Sequence, residues 1–202
     1  MIEMLAFRDA VSGWASGGCG GAARELAGAA GVRVAVLLEG LSDLAAVETL
    51  AERRGRDLAA EGVCVVSMGG AMSVGRYAGL LGPSGLGLRL VGLCDVQERP
   101  FYDRALEGAD APLFVCAADL EDELIRALGT AKVEEVVAAE GDLRPWQTFL
   151  HQPAQHGRPR EQQVRRFLGT KKGRKIRYGR LLVEALDSAS VPAPLDDLFA
   201  SL

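Results

Sequence analysis

Short apolar runs alternate with helical stretches over the middle of the chain, from Val32 to about residue 130. The segment Arg33-Val-Ala-Val-Leu-Leu38 is aliphatic after its first residue, which is typical of a strand buried on both faces of a parallel sheet. Comparable runs predict three further strands, at 63–67, 88–94 and 112–116. Between the strands, apolar residues at helical spacing predict helices at 42–54, with Ser42 as N-cap, and at 73–81. This alternation predicts an α/β fold with a four-stranded parallel sheet flanked by helices.

The two ends of the chain are predicted to be helical. The sequence divides into an N-terminal helical segment (1–31), the α/β domain (32–130), a helical extension packed on it (131–187) and a tail (188–202). Helices are expected at 3–14 and 22–29 and, after the last strand, at 120–128, 133–140, around 146–150, 160–168 and 174–186. Pro192 and Pro194 predict that the tail forms one short amphipathic turn and no more.

A strongly basic segment interrupts an otherwise acidic chain. The net charge is −4 over 202 residues, yet the stretch 156–180 holds ten Lys and Arg residues and one acid, Glu161. Such a segment is a solvated helix surface, a docking surface for the acidic body, or a contact to nucleic-acid phosphates. Ten cations exceed what solubility needs, which favours nucleic acid. The cations do not separate DNA from RNA; DNA is the first expectation for the partner. The candidate contacts are Arg165, Arg166, Lys171, Lys172, Arg174, Lys175 and Arg177.

Cysteine usage and hydropathy restrict the setting of the protein. The four cysteines are far apart and form no CxxC pair, which argues against a zinc site. No run of about 20 apolar residues could span a bilayer, and no signal-peptide pattern stands at the N-terminus. We therefore expect a reduced, cytoplasmic protein without membrane contact; the sequence leaves its oligomeric state open.

Acidic residues follow three of the predicted strands. Glu39 comes directly after the first strand and Asp43 four residues later, Asp95 ends the third strand with Glu98 close behind, and Glu121 follows the fourth. Ligands bind beyond the carboxyl ends of parallel strands, so these side chains are expected at one edge of the sheet. Oxygen ligands without histidine suit Mg²⁺ or Mn²⁺. Taken singly, Asp43 also fits a first-turn acid that complements the helix dipole, and Glu121 fits an acid that orients ligands rather than binds.

Three strings in this region resemble a known domain. Val36-Leu-Leu-Glu-Gly-Leu-Ser-Asp43, Met68-Gly-Gly70 and Leu93-Cys-Asp95 resemble the TOPRIM domain of topoisomerases, primases, small RNA-maturation nucleases and OLD-family nucleases. The Glu-Gly-x-Ser-Asp spacing and the Asp-Leu-Glu-Asp-Glu-Leu run at 119–124 look most like the OLD (overcoming lysogenization defect) type. The resemblance covers roughly residues 32–128. It implies a TOPRIM Rossmann-like sheet with a C-terminal helical extension and a metal-dependent nuclease or nucleotidyl transferase.

The resemblance also implies roles for single residues. Glu39 matches the family's general acid/base or metal ligand, and Asp43 and Asp95 match its metal-binding aspartates. A downstream lysine screens transition-state charge in OLD-type enzymes, and Lys175 is the first choice for that role. The family's Asp-x-Asp motif reads Asp95-Val-Gln97 here, so the second metal depends on Gln97 or Glu98.

A phosphate-binding loop is missing from the sequence. OLD proteins resemble fusions with an ABC-type ATPase, but no G-x-x-x-x-G-K-[ST] occurs, and Gly169-Thr-Lys-Lys-Gly-Arg-Lys175 has the wrong order for one. We therefore expect a free-standing module whose ATPase, where one takes part, is a separate partner.

Two other functions remain open at the sequence level. The first is a non-catalytic module that binds nucleic acid or a separate ATPase, which the altered Asp-x-Asp motif would fit. The second is an unrelated Rossmann-like enzyme of small molecules, against which stands the lack of a glycine-rich dinucleotide loop after the first strand.

Overall fold

A computed structural model of the protein describes residues 2–171 and 173–202 and contains one parallel sheet. Its strands are β1 (Val34–Leu38), β2 (Val63–Ser67), β3 (Arg89–Asp95) and β4 (Leu113–Cys116). They lie in the order β2-β1-β3-β4, and every neighbouring pair is parallel. The predicted four-stranded parallel sheet flanked by helices is confirmed.

Eleven α-helices are present in the described parts of the chain. They are α1 (Ile2–Ala15), α2 (Gly21–Ala29), α3 (Leu41–Arg53), α4 (Val74–Leu81), α5 (Arg99–Ala105), α6 (Leu120–Leu128), α7 (Thr130–Ala139), α8 (Leu143–Leu150), α9 (Arg160–Leu168), α10 (Arg174–Ala185) and α11 (Ala193–Ser201). A 3₁₀ turn, Ala71–Ser73, leads into α4. Helix α5 was not predicted, because its seven residues bury only Tyr102 and therefore show no helical periodicity.

The sheet separates two layers of helices. Successive β1 side chains point to opposite faces: Ala35 and Leu37 pack in one apolar cluster, and Val36 and Leu38 pack in the other. Helices α1, α2, α4 and α5 cover the first face, and α3 with α6 to α11 cover the second. Burial on both faces explains why β1 reads as a continuous apolar run.

The C-terminal residues form a core helix where the sequence suggested a short turn. Helix α11 buries Leu195, Leu198 and Phe199 against β3 and β4. Pro192 and Pro194 stand just before and within its first turn, where proline is tolerated because those N–H groups lack helical partners. The prolines therefore begin a helix here rather than prevent one.

Helix α3 begins one residue earlier than predicted, and Ser42 is not its N-cap. Gly40 occupies that position in an extended conformation, and its N–H donates to Asp43 Oδ2 at 2.9 Å. Asp43, the third residue of the helix, thus holds the turn that connects β1 to α3.

No helix within the described residues has both the length and the apolar character needed to cross a membrane.

Candidate functional site

A cavity of about 340 Å³ opens at the carboxyl edge of the sheet, between the two helix layers. Acidic side chains from three chain segments line it, together with one lysine from a fourth: Glu39, Asp43, Asp95, Asp119, Glu121 and Lys175. The structure thus brings together five of the predicted site residues and adds Asp119. Glu98 is not among the lining residues; it precedes α5 and lies near enough to Glu39 to raise the pKa of that carboxyl.

Glu39 and Asp95 are held next to each other by the register of β1 and β3. The backbone N–H of Asp95 donates to Glu39 Oε1 at 3.2 Å. The two strands run parallel with Leu37 opposite Gly92, so their carboxyl ends meet and bring the acids after them together. The adjacency of these two carboxylates follows directly from sheet pairing.

The helical extension supplies the other side of the cavity. Lys175, in the first turn of α10, places Nζ 3.0 Å from Glu121 Oε2 on α6. The carboxylate of Glu121 is only 4% exposed, and its second oxygen, Oε1, is buried with no hydrogen-bond partner. A buried acceptor without a donor is costly, so this oxygen is a candidate ligand for a cation.

Asp119 has a mainly structural role in the arrangement. One of its carboxylate oxygens caps α6 by accepting from the N–H of Asp122 at 2.8 Å. Its other oxygen accepts from Arg165 Nε at 2.9 Å and from a second nitrogen of the same guanidinium. Both oxygens are therefore already occupied, and Arg165 ties α9 to the strand end from which α6 begins.

Burial and mutual repulsion raise the pKa of the clustered acids. Burial, followed by the charges of Glu121 and Glu39, raises the pKa of Asp43 to about 7. Burial and then Glu39 and Asp119 raise the pKa of Asp95 to about 8. Burial alone would lower the pKa of Lys175, but Glu121 and the other acids outweigh it and keep this lysine charged. A cluster of this kind takes up protons or a cation.

The donor set fits a hard divalent cation, although the side chains are not arranged around a common point. Among residues 2–171 and 173–202, no three Asp, Glu, His or Cys side chains form a group ready to hold a metal. Like charges rotate apart when no cation joins them, and Mg²⁺ commonly takes only one or two carboxylates besides water and phosphate oxygens. The side chains best placed to bind such a cation are therefore the acids of the cavity, above all Glu121 with its buried, unpartnered oxygen.

We expect thermal stability to fall as pH rises through the neutral range. In the folded chain the pKa of Asp43 is about 7 and that of Asp95 about 8, whereas the ordinary value for an aspartate is 3.8. Both carboxylates therefore bind a proton more tightly in the folded chain than in the unfolded chain. Because the folded state binds more protons than the unfolded chain in this range, the free energy of unfolding rises as pH is lowered from 8.5 towards 5. Differential scanning fluorimetry should show a melting temperature several degrees higher at the acidic end, and Asp95→Asn should flatten the profile. A melting temperature that stays constant, or rises with pH, would contradict the charge repulsion described here.

The basic segment is largely matched by internal acids. Of the nine cations that the structure describes in this segment, six have carboxylate partners: Arg160, Arg165, Arg174, Lys175, Arg177 and Arg180. Arg174 is only 7% exposed and contacts Asp142 and the backbone of Phe167. In contrast to the prediction, its guanidinium is therefore not accessible to nucleic acid. The other described candidates, Arg165, Arg166, Lys171, Lys175 and Arg177, are exposed, and Lys172 lies outside the described residues.

Sequence reasoning missed two further features of this edge. Glu123 of α6 is buried and accepts from the N–H of Ala117 at 2.7 Å, which holds the turn between β4 and α6. Ser67, Gly69 and Gly70, at the end of β2, also line the cavity. The Met68-Gly-Gly70 string contains two of them, Gly69 and Gly70, but only as part of a resemblance, and nothing in the sequence indicated Ser67.

Comparison with known proteins relates both the sequence and the fold to OLD proteins. Residues 32–96 match the family model of the overcoming lysogenization defect protein-like TOPRIM domain. The fold is similar to the C-terminal region of the Burkholderia pseudomallei OLD protein, with a TM-score of 0.61 and 21% identity over 84% of this chain and 98% of that one. It is also similar to the C-terminal region of the Xanthomonas campestris pv. campestris OLD protein, with a TM-score of 0.62 and 24% identity over 84% and 93%. The search of curated proteins gave no match.

The parallel sheet with its acidic carboxyl edge is the arrangement of TOPRIM domains, which are generally metal-binding folds of the nuclease type. More narrowly, residues 32–96 match the OLD-like type of this domain, as the sequence strings predicted.

Proposed function

We propose that this protein is a Mg²⁺- or Mn²⁺-dependent nuclease that hydrolyses nucleic-acid phosphodiester bonds, with DNA as the favoured substrate. The observation that carries the proposal is the meeting of Glu39, Asp43, Asp95 and Glu121 with Lys175 at one cavity. This set suits nuclease chemistry because the acids can bind a cation. The cation and Lys175 would together neutralise the negative charge of a scissile phosphate, which the acids cannot do themselves.

The residues divide the work of hydrolysis among them. Asp43, Asp95 and the free oxygen of Glu121 would hold the cation, which supplies neutralisation of the phosphate charge when bound. Glu39 takes the proton of the attacking water while the new P–O bond forms and the bond to the leaving oxygen breaks, and the leaving oxygen takes up a proton from solvent water. Its raised pKa, caused first by burial and then by Glu98, brings it closer to the neutral range in which such a base works best. Lys175 Nζ screens the charge that develops on the phosphate oxygens.

The cation requirement is the direct test of this proposal. The unaltered protein is expected to cut plasmid, linear or single-stranded DNA in Mg²⁺ or Mn²⁺ and to lose that activity in EDTA. Cleavage is measured by gel electrophoresis over time, with RNA and the metal-free protein in parallel. No cleavage with either metal, on any of these substrates, would contradict a nuclease function.

One observation favours a second candidate, a non-catalytic module that binds nucleic acid or a separate ABC-type ATPase. Gln97 replaces the second acid of the Asp-x-Asp motif and is exposed, and Glu98 does not line the cavity. The two candidates differ in metal binding. Calorimetric titration with Mn²⁺ should show binding for a nuclease, whereas no heat up to millimolar concentration would favour the module.

A further inference from the structure

The two edges of the sheet differ in how well they are covered. At one edge, Val63 and Val65 of β2 are each 2% exposed, and an ion pair of 2.6 Å between Arg8 on α1 and Glu48 on α3 joins the helices that pack against this strand. At the other edge, residues 113–115 of β4 are apolar and partly exposed. Natural sheets cover or charge their edge strands, because an exposed apolar edge pairs readily with another strand. The β4 edge is therefore a candidate interaction surface.

The backbone groups of β4 that face away from β3 have no partner in the described part of the chain. The C=O groups of Pro112 and Cys116 accept hydrogen bonds from the backbone of β3 and of the residue after it, so every second residue from 112 to 116 faces β3. Leu113 and Val115 therefore turn their N–H and C=O groups outward, and no hydrogen bond within residues 2–171 and 173–202 reaches these groups. They are free to pair with a strand from outside.

A second copy of this chain fits the edge because β4 is complementary to itself. When two β4 strands run antiparallel with Leu113 opposite Val115 of the second copy, the outward N–H and C=O groups of both strands all pair with each other. Phe114 then lies opposite Phe114 of the second copy, with Cα atoms about 4.5 Å apart, and aromatic pairs at such positions stabilise sheets. Apolar side chains thus meet apolar side chains along the pair.

The charges beside the strand also suit this arrangement. Asp110 precedes β4, is exposed and has no ion-pair partner among the described residues. Asp119 follows β4 and is bound by Arg165, whose side chain is 44% exposed. Because the two strands are antiparallel, Asp110 of one copy approaches the end of β4 at which Arg165 of the other copy lies. This acid and this cation therefore attract each other across the pair.

We propose that two copies of this chain pair antiparallel through β4 and form one continuous sheet, with four strands from each copy. The inference does not rest on the proposed nuclease function, because the pairing groups belong to the backbone of β4 and not to the acids of the cavity. The pairing also brings the loop before β4 of one copy next to Asp119, at the border of the other copy's cavity.

Disulfide trapping tests both the interface and its register. In a Cys19→Ser background, which removes an exposed thiol, Phe114→Cys should form a covalent dimer on mild oxidation, because directly opposed residues lie within disulfide range. Leu113→Cys is the matched control. The two copies of residue 113 are offset by two positions along the strand, at roughly 3.4 Å per residue, which is too far for a disulfide. Electrophoresis without reducing agent should show at least about tenfold more covalent dimer for Phe114→Cys.

Val115→Pro tests the pairing without a new thiol. The N–H of Val115 faces away from β3, so proline leaves the hydrogen bonds to β3 in place but removes one donor of each strand from the dimer. Size-exclusion chromatography with light scattering should give a dimer mass for the unaltered chain and a monomer mass for the variant, and circular dichroism checks that both are folded. If proline prevents folding, the disulfide test still decides.

The two measurements can each overturn the proposal. A monomer mass for the unaltered chain at every concentration rules out a second copy as the occupant and leaves the edge to a strand of another protein. Equal trapping by Phe114→Cys and Leu113→Cys rules out the register. A dimer that persists in Val115→Pro, without trapping of Phe114→Cys, places the interface elsewhere on the chain.

Discussion

Replacing Glu39 with glutamine is expected to lower metal-dependent DNA cleavage at least about 100-fold while the chain stays folded. The amide oxygen of glutamine can still accept from the N–H of Asp95, which donates to Glu39 at 3.2 Å, so the strand ends keep their arrangement. The amide cannot take a proton from water and binds cations more weakly than a carboxylate. The cleavage rate under single-turnover conditions, measured in Mg²⁺ and in Mn²⁺, gives the size of the loss.

A matched substitution and a melting curve separate this effect from unfolding. Glu25→Gln makes the same chemical change on an exposed site of α2 and is expected to leave the rate unaltered. The melting temperature of Glu39→Gln should equal or exceed that of the unaltered chain, because repulsion from Glu98 and Asp119 is removed. A rate within about twofold of the unaltered chain would show that Glu39 is neither the proton acceptor nor a required ligand.

Replacing Gly179 with alanine is expected to destabilise the fold by about 1–3 kcal/mol and to reduce cleavage as well. Gly179 lies on α10 where that helix packs against the start of α3, and a Cβ there would come 2.6 Å from the backbone oxygen of Ser42. The helices must then move apart, and Lys175, one turn earlier on α10, moves with them. Chemical unfolding in urea measures the change in stability, and cleavage by the folded variant at low temperature measures the displacement of Lys175.

Gly79→Ala is the matched control for that substitution. Gly79 lies within α4, and a Cβ there meets nothing within 4 Å. Alanine in place of a helical glycine is expected to raise stability by roughly 0.5–1 kcal/mol, so the two variants should change stability in opposite directions. Equal effects at the two positions would mean that α10 and α3 are not held by the close approach at Gly179.

Most elements of the fold could be predicted because their signals are local. A strand buried on both faces reads as an unbroken aliphatic run, and β1 and β2 begin and end within one residue of the predicted bounds. The same reasoning failed for α5, which buries a single residue, and for α11, whose prolines suggested a turn. In both cases the deciding contacts lie outside the helix itself: Tyr102 packs in the core beside Gly92 of β3, and Phe199 lies on α11, which packs against β3 and β4.

The acids of the candidate site could be predicted from the sequence, but the contacts that each of them makes could not. Strand-end placement and the resemblance together selected Glu39, Asp43 and Asp95, and the structure brings all three to one cavity. Neither indicated that Asp119 would be occupied by Arg165, or that Glu121 would be buried with one oxygen free. These facts depend on how α9 and α10 pack on α6, which no local pattern encodes.

The parallel α/β fold, the OLD-like TOPRIM strings and the edge of the sheet at which the acids gather can all be predicted from the sequence, because periodicity and strand direction are properties of neighbouring residues. The contacts that the cations of the basic segment make depend on packing between helices. These cations look alike in the sequence, yet Arg174 is buried on Asp142, Arg165 clamps Asp119, and Lys175 faces the cavity. The physical reason is that a charge acts through its distance from other charges and from water, and packing across the chain sets both distances.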